Sequence, residues 1–199
     1  MAIIVGITGG IGSGKTTACR IFEVLGTQVF YADDEAKALY SADEELKQAV
    51  IRAFGSDIYP DGNFSKVNLA AIVFANSEKL AHLNSLVHPA LARRFKTWRD
   101  QHDDEKYLLK EAAILIESGV HEACNEIIVV SCPEEIRINR VAQRDDVSEE
   151  TVRDRVKHQL NELERLKYAS FEIDNSGSNP MTPQITQIHE QLISKVQTR

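Results

Sequence analysis

Gly9, Gly14, Lys15 and Thr16 occupy the fixed positions of the pattern G-x-x-x-x-G-K-[ST]. Glycines at these places let backbone N–H groups turn inward around phosphate oxygens. A helix beginning near Lys15 adds the positive end of its dipole. Lys15 would reach the β- and γ-phosphates of a nucleoside triphosphate, and Thr16 would place its hydroxyl on Mg²⁺. A chance glycine-rich turn can also satisfy the bare pattern. Here an apolar, strand-like run at 3–7 precedes it and a helical pattern at 16–25 follows it, which is the context the chemistry requires. The chain is expected to bind a nucleoside triphosphate.

Further residues have types suited to phosphoryl transfer. Asp33 and Asp34 follow Tyr31-Ala32 at the end of a second strand-like run. A carboxylate there either accepts or orients the proton of an attacking hydroxyl. Alternatively it caps the helix that starts with Glu35-Ala36-Lys37, or it does both. Arg137, Arg140 and Arg144 stand at i, i+3 and i+7 after Pro133, on one helical face. Such a face either clamps phosphates through forked guanidinium donors or is simply solvated beside Glu134, Glu135, Asp145 and Asp146. Of the three, Arg140 and Arg144 lie nearer the segment that could cover the phosphates.

His88-Pro89 reads as a helix terminus, with Pro89 opening a new helix, or as a histidine available to an acceptor. Lys66, Arg93 and Arg94 are further cations for an anionic acceptor. Glu111 and Glu117 bracket the apolar stretch 112–116, and either could stand near Mg²⁺ or its waters. Asn175, just past the last strand-like run, meets an adenine or forms a plain turn. Cys19 falls in the expected helix after the loop and reads as a small core residue.

These groups need elements to hold them. Strand-like runs at Ile3–Thr8, 28–32, 107–116, Glu126–Ser131 and 170–174 alternate with helical patterns, which implies a five-stranded parallel α/β sheet covered on both faces. Ligand loops then gather at the carboxyl ends of the strands. Residues 1–33, 105–139 and 169–199 are expected to form a nucleotide-binding core. A mostly helical insertion at 34–104, broken by Gly55, Pro60, Gly62 and Pro89, is expected to take the acceptor. Residues 140–168 are expected to act as a lid. There Ser148 is a helix N-cap followed by Glu149 and Glu150, and Val152, Val156, Leu160 and Leu163 form an apolar stripe. A last helix is expected at 182–196.

With 199 residues, 43% of them apolar, the chain can build one real core. Its net charge of −7 argues against a general nucleic-acid or anionic-membrane binder, so positive charge must be concentrated at the site. Three cysteines without C-x-x-C spacing argue against a disulfide framework or zinc site. No signal-peptide pattern precedes the first strand, and no apolar run approaches a membrane span. The expected location is the cytoplasm.

Together these residues resemble the dephospho-coenzyme A kinase family over nearly the full length. The resemblance rests on Gly6-Ile7-Thr8-Gly9-Gly10-Ile11-Gly12-Ser13-Gly14-Lys15, Ala32-Asp33, Phe54-Gly55, Ile72-Val73-Phe74, Leu83-Asn84-Ser85-Leu86-Val87-His88-Pro89, Gln143-Arg144-Asp145 and Ile173-Asp174-Asn175-Ser176-Gly177. It implies a P-loop kinase fold with a helical acceptor insertion and a helical lid. It also implies transfer from MgATP to the ribose 3′-hydroxyl of dephospho-coenzyme A. Asp33 would position or deprotonate that hydroxyl, with Lys15 and Arg140 also catalytic. Ile11, Gly12, Ser13, Gly14, Lys15, Thr16 and Thr17 would surround the ATP phosphates, with Arg140, Arg144 and Asn175 on the ATP side. Thr8, Asp33, Lys66 and His88 would serve the acceptor.

The chain departs from the family pattern in three places. Lys66 stands where many members carry Arg, a point charge in place of a planar fork. Ala113-Ile114-Leu115-Ile116-Glu117 keeps the acid of the third strand's end without the usual proline, and Thr16 replaces a common Ser. Two other readings compete: a small P-loop kinase for a nucleoside or nucleotide, and a GTPase-type switch. The switch lacks support, because Asn-Lys-x-Asp is absent and the one D-x-x-G match, Asp174 to Gly177, comes at the last strand.

Overall fold

The computed structural model describes residues 2–73 and 76–197; Phe74, one of the residues carrying the family resemblance, lies outside the described residues. In chain order the elements begin with β1 (Ile3–Thr8), α1 (Lys15–Val24), β2 (Val29–Tyr31), α2 (Ala32–Ala42), α3 (Glu44–Phe54), α4 (Lys66–Val73) and α5 (Ser77–Asp100). They continue with β3 (Tyr107–Glu111), β4 (Glu126–Ser131), α6 (Glu134–Asp145), α7 (Glu149–Val156), α8 (Glu162–Leu166), β5 (Phe171–Asp174) and α9 (Met181–Gln197). Two compact units result, one within residues 1–31 and 102–199, the other Ala32–Gln101.

In the first unit the sheet runs in the order β2-β3-β1-β4-β5, with every neighbouring pair parallel. β1 is central, and Ile7 faces Glu111 of β3 on one side and Ile128 of β4 on the other. Its residues from Ile4 onward are all buried, as a strand covered on both faces demands. Val5, Ile7, Leu109, Ile128, Val130 and Ile173 form one core with Ala18, Cys19 and Phe22 of α1 and Ile185, Ile188 and Leu192 of α9. α8 packs against β4. A smaller cluster of Ile138, Val141 and Val152 joins α6 to α7, with Ile11 and Val156 packed against it.

β3 is shorter than the apolar run 107–116 predicts. Its last ladder bond is Ala112 N–H to the Ile7 carbonyl, 3.2 Å; the chain then turns, with Ser118 N–H bonded to the Ile114 carbonyl and Gly119 N–H to that of Ile116. Leu115 and Ile116 are apolar because they are buried, not because they are extended. β2 likewise ends at Tyr31, since Ala32 already belongs to α2. The stripe expected over 152–163 is interrupted. α7 stops at Val156, Asn161 caps α8 by accepting from Glu164 N–H at 2.8 Å, and Leu163 is exposed. Ser148 caps α7 as its spacing predicts, accepting from Thr151 N–H.

The second unit packs α2 to α5 around Leu39, Leu46, Val50, Ile58, Leu69, Val73, Leu83, Val87 and Ala90. Tyr40 stacks on Phe64 with ring centroids 4.3 Å apart. Asp43 caps α3 by accepting from Leu46 N–H. Pro89 does not end a helix: α5 runs through it from Ser77 to Asp100. A proline inside a helix leaves the carbonyl four residues earlier without its donor. That carbonyl belongs to Ser85, which like Pro89 is exposed, so water can replace the lost partner while Leu83, Val87 and Ala90 stay packed. Among the described residues, no helix is long and apolar enough to cross a membrane.

Candidate active site

β1 delivers its chain directly into the glycine loop, and the geometry there is the one only glycine adopts freely. Gly12 and Gly14 have φ of 79° and 98°, in the left-handed region. Ser13 N–H closes a turn onto the Gly10 carbonyl at 3.0 Å, and Ala18 N–H makes the first helical bond to Gly14 at 3.0 Å. The N–H groups of the first turn of α1 have no acceptor within the helix, so they form an anion-binding end. The Lys15 ammonium folds back over the loop to the Gly9 carbonyl, 2.9 Å away.

A cleft of about 460 Å³ opens above this loop, and Lys15, Thr16, Thr17, Arg140, Arg144 and Gln159 line it. Thr16 and Thr17 are exposed to it. Two buried hydroxyls on the same stretch, Thr8 Oγ1 and Ser13 Oγ, have no hydrogen-bond partner among the described residues. Buried polar atoms left in this way are expected where a bound group completes the site. The oxygen-only donor of Thr16 suits Mg²⁺ held mainly by phosphates and water. Among the described residues no group of three or more His, Cys, Asp or Glu could hold a metal alone.

The three arginines of α6 do not form one phosphate-facing row. Arg137 is buried; its Nε donates to the Cys132 carbonyl at 2.9 Å and its Nη1 to the Ile11 carbonyl at 3.3 Å. It braces the loop from behind. Arg140 Nη2 donates to the Asn175 carbonyl at 3.3 Å and Nη1 to Cys132 Sγ at 3.4 Å. Arg144 is paired with Asp145 at 2.8 Å, an exposed contact that a nucleotide can compete for. Asn175 turns its side-chain amide onto the Ser13 carbonyl, 2.7 Å away. Gln159 Oε1 accepts the Ile11 N–H at 2.9 Å. Sequence reasoning missed Arg137's role as a brace and missed Gln159 altogether; neither lies within a motif, and both contacts span more than a hundred residues.

Glu111 ends β3 beside Ile7, and it is buried. Burial pushes the Cys19 thiol up, the Glu111 carboxylate adds to that, and Lys15 opposes it, so both charges act on the same helix. Cys19 is a core residue and not a nucleophile. Glu117 is differently employed: it accepts from Leu160 N–H at 3.0 Å and pairs with the buried Arg165 at 3.5 Å. Of the two acids, only Glu111 stands at the sheet end beside β1.

Of the residues expected to serve the acceptor, Thr8 is buried at the end of β1 in the first unit, whereas Asp33, Lys66 and His88 belong to the second unit. Asp33 lies within the first turn of α2, not at its N-cap, and is exposed; Asp34 pairs with Lys37 at 2.7 Å. Lys66 opens α4 and His88 sits mid-helix in α5, both exposed. Arg93 is paired with Glu45 at 3.1 Å and Asp43 at 3.5 Å, and Arg94 with Glu35 at 2.8 Å.

The strand order puts the phosphate loop on the middle strand, and the helix after the neighbouring strand sends Arg140 and Arg144 over it. A protein built this way to hold a triphosphate is a P-loop kinase. The sequence model of the dephospho-CoA kinase family matches residues 3–180. A dephospho-CoA kinase of Bacteroides fragilis is 35% identical over 196 residues, covering 98% of this chain and 96% of its own. One from Salinibacter ruber is 40% identical over 176 residues, covering 87% and 88%. A solved structure from Thermus thermophilus superposes with a TM-score of 0.83 at 28% identity, covering 98% of this chain and 97% of its own. The chain belongs to the dephospho-CoA kinase family, and so acts as a kinase in coenzyme A biosynthesis.

Proposed function

We propose that this chain moves the γ-phosphate of MgATP to the ribose 3′-hydroxyl of dephospho-coenzyme A, releasing coenzyme A and ADP. The reading is carried by the cleft over the glycine loop, where Lys15, Arg140 and Arg144 converge in a member of this family. The backbone from Gly12 to Thr17 cradles the phosphates beside Ile11, whose own backbone groups are held by Gln159 and Arg137, and Lys15 neutralises charge on the β- and γ-groups. Arg140 and Arg144 stabilise charge on the transferring phosphoryl group, which guanidinium forks do well. Thr16 would hold Mg²⁺, which when bound neutralises phosphate charge and orients the transferring group.

The 3′-oxygen attacks the γ-phosphorus as the bond to the β,γ-bridging oxygen breaks, and ADP leaves. Asp33 orients the hydroxyl or takes its proton. Thr8, Lys66 and His88 belong to the acceptor side, and Asn175 supports the ATP side. Residues 140–168 close over the nucleotide and exclude water. The protein works as a cytoplasmic enzyme.

The test is ADP release from MgATP with dephospho-coenzyme A, adenosine, AMP or no acceptor. Strong stimulation by dephospho-coenzyme A alone is expected. Stimulation by adenosine or AMP instead would keep the phosphate chemistry and overturn the acceptor.

A further inference from the structure

Ile11 is held at both of its backbone polar groups. Its carbonyl accepts from Arg137 Nη1, and its N–H donates to Gln159 Oε1 at 2.9 Å. Ile11 and Gly12 are the two central residues of the turn closed by Ser13 N–H on the Gly10 carbonyl, so holding Ile11 holds the loop's tip. The donor at Ile11 can meet only an acceptor, which fixes the orientation of the Gln159 carboxamide.

Gln159 comes from the connection between α7 and α8, and that connection is itself anchored. The next residue, Leu160, gives its N–H to Glu117 and takes Arg165 Nη2 on its carbonyl at 2.7 Å. Arg165 is buried and pairs with Glu117, so Gln159 stands on a backbone fixed by an ion pair at its root. Its side chain also lines the cleft with Lys15, Arg140 and Arg144.

We infer that Gln159 is a positioning residue of the nucleotide site: with Arg137 opposing it across Ile11, it holds the tip of the phosphate loop in the shape that receives the triphosphate. This rests on the reading of the loop as the ATP site. A loop ordered in advance does not spend binding energy on ordering, so the effect falls on nucleotide affinity and not on the acceptor.

The experiment compares wild type, Gln159→Leu and Gln159→Glu by amide hydrogen exchange at Ile11 and by calorimetry with a non-hydrolysable ATP analogue. Leucine removes the acceptor; glutamate keeps one. In Gln159→Leu the Ile11 amide should exchange about tenfold faster or more, following the loss of local protection. Its nucleotide Kd should rise about five- to tenfold, the worth of one such hydrogen bond. The KM for dephospho-coenzyme A should stay within about twofold of wild type, because the bond lies on the nucleotide side.

Gln159→Glu should retain protection at Ile11. Unchanged exchange in Gln159→Leu, a Kd within about twofold of wild type, or protection lost equally in Gln159→Glu would each overturn the inference. Neither exchange nor analogue binding involves the acceptor, so failure of the dephospho-coenzyme A assignment would be seen separately, in wild-type turnover.

Discussion

The side-chain amide of Asn175 donates to the Ser13 carbonyl at 2.7 Å, which ties the end of β5 to the phosphate loop of β1. Arg140 takes the Asn175 carbonyl at 3.3 Å, so α6 joins the same network. Asn175 N–H in turn bonds the Ser131 carbonyl at 2.9 Å, fixing the residue to the end of β4. One asparagine therefore links the phosphate loop, α6 and the end of β4 at the carboxyl end of the sheet, where an α/β fold places its ligand.

Gly14 lies directly under that amide. A Cβ there would collide with Asn175 Nδ2, and the φ of 98° already disfavours any side chain. Gly14→Ala should destabilise by more than the roughly 1–2 kcal/mol of a left-handed alanine and weaken nucleotide binding. Gly26 has φ of 89° with nothing within 4 Å, so Gly26→Ala should show the backbone cost alone and normal nucleotide affinity. Urea unfolding and calorimetry on the two variants measure the difference.

Lys15 is the cation held over the loop by the Gly9 carbonyl. Lys15→Ala should lower kcat by about 10²–10³-fold, the scale for losing one preorganised charge-stabilising group. Circular dichroism should show the fold intact. Near-normal turnover would remove Lys15 from the transfer step.

Asp33 is exposed in the first turn of α2, so its carboxylate also complements that helix dipole. If it handles the hydroxyl proton, Asp33→Asn should cut kcat by about 10²–10⁴-fold while ATP affinity holds. Steady-state kinetics at saturating ATP decides it. An unchanged kcat would leave Asp33 with the dipole role alone.

Glu117 partners a guanidinium that is almost wholly buried, and burial already pulls the Arg165 pKa down. Removing the acid would strand that charge. Glu117→Ala should cost about 3–5 kcal/mol of stability, read from the denaturant midpoint. A loss well under 1 kcal/mol would mean that water reaches Arg165.

His189 supplies a pH dependence remote from the loop. Thr27 Oγ1 donates to the Tyr107 hydroxyl at 2.8 Å, and that hydroxyl lies 2.6 Å from His189 Nδ1, which accepts when the ring is neutral. Burial lowers the His189 pKa below its usual 6.5; Lys106 adds to this and Glu190 opposes it. The unfolded chain therefore takes up the proton first, and stability present above pH 6.5 is lost as pH falls through the folded-state value. Tm should decline below pH 6.5 in wild type, and the decline should shrink in His189→Gln, which does not titrate.

The strand–loop–helix around Lys15 was legible because its chemistry is local: consecutive backbone groups bind phosphate, and consecutive residue types reveal them. The cap at Ser148 was legible for the same reason, its partner being three residues away. The central strands β1 and β4 showed as unbroken apolar runs, since both of their faces are covered. The run at 107–116 misled because apolar residues mark burial in turns as well as in strands.

Pro89 within α5, Arg137 turned inward and Gln159 set on Ile11 were decided only by tertiary structure. Spacing assigns a residue to a helix face, but what that face meets depends on elements distant in sequence. Arg137 and Arg144 share a helix and differ in fate because Ile11 and Cys132 offer carbonyls to one and a cleft lies before the other. The amino-acid sequence by itself determined the family, the phosphate loop and most of the elements, through short-range patterns. The folded chain decided which polar groups brace that loop, because buried donors and acceptors find their partners only when the packing brings them together.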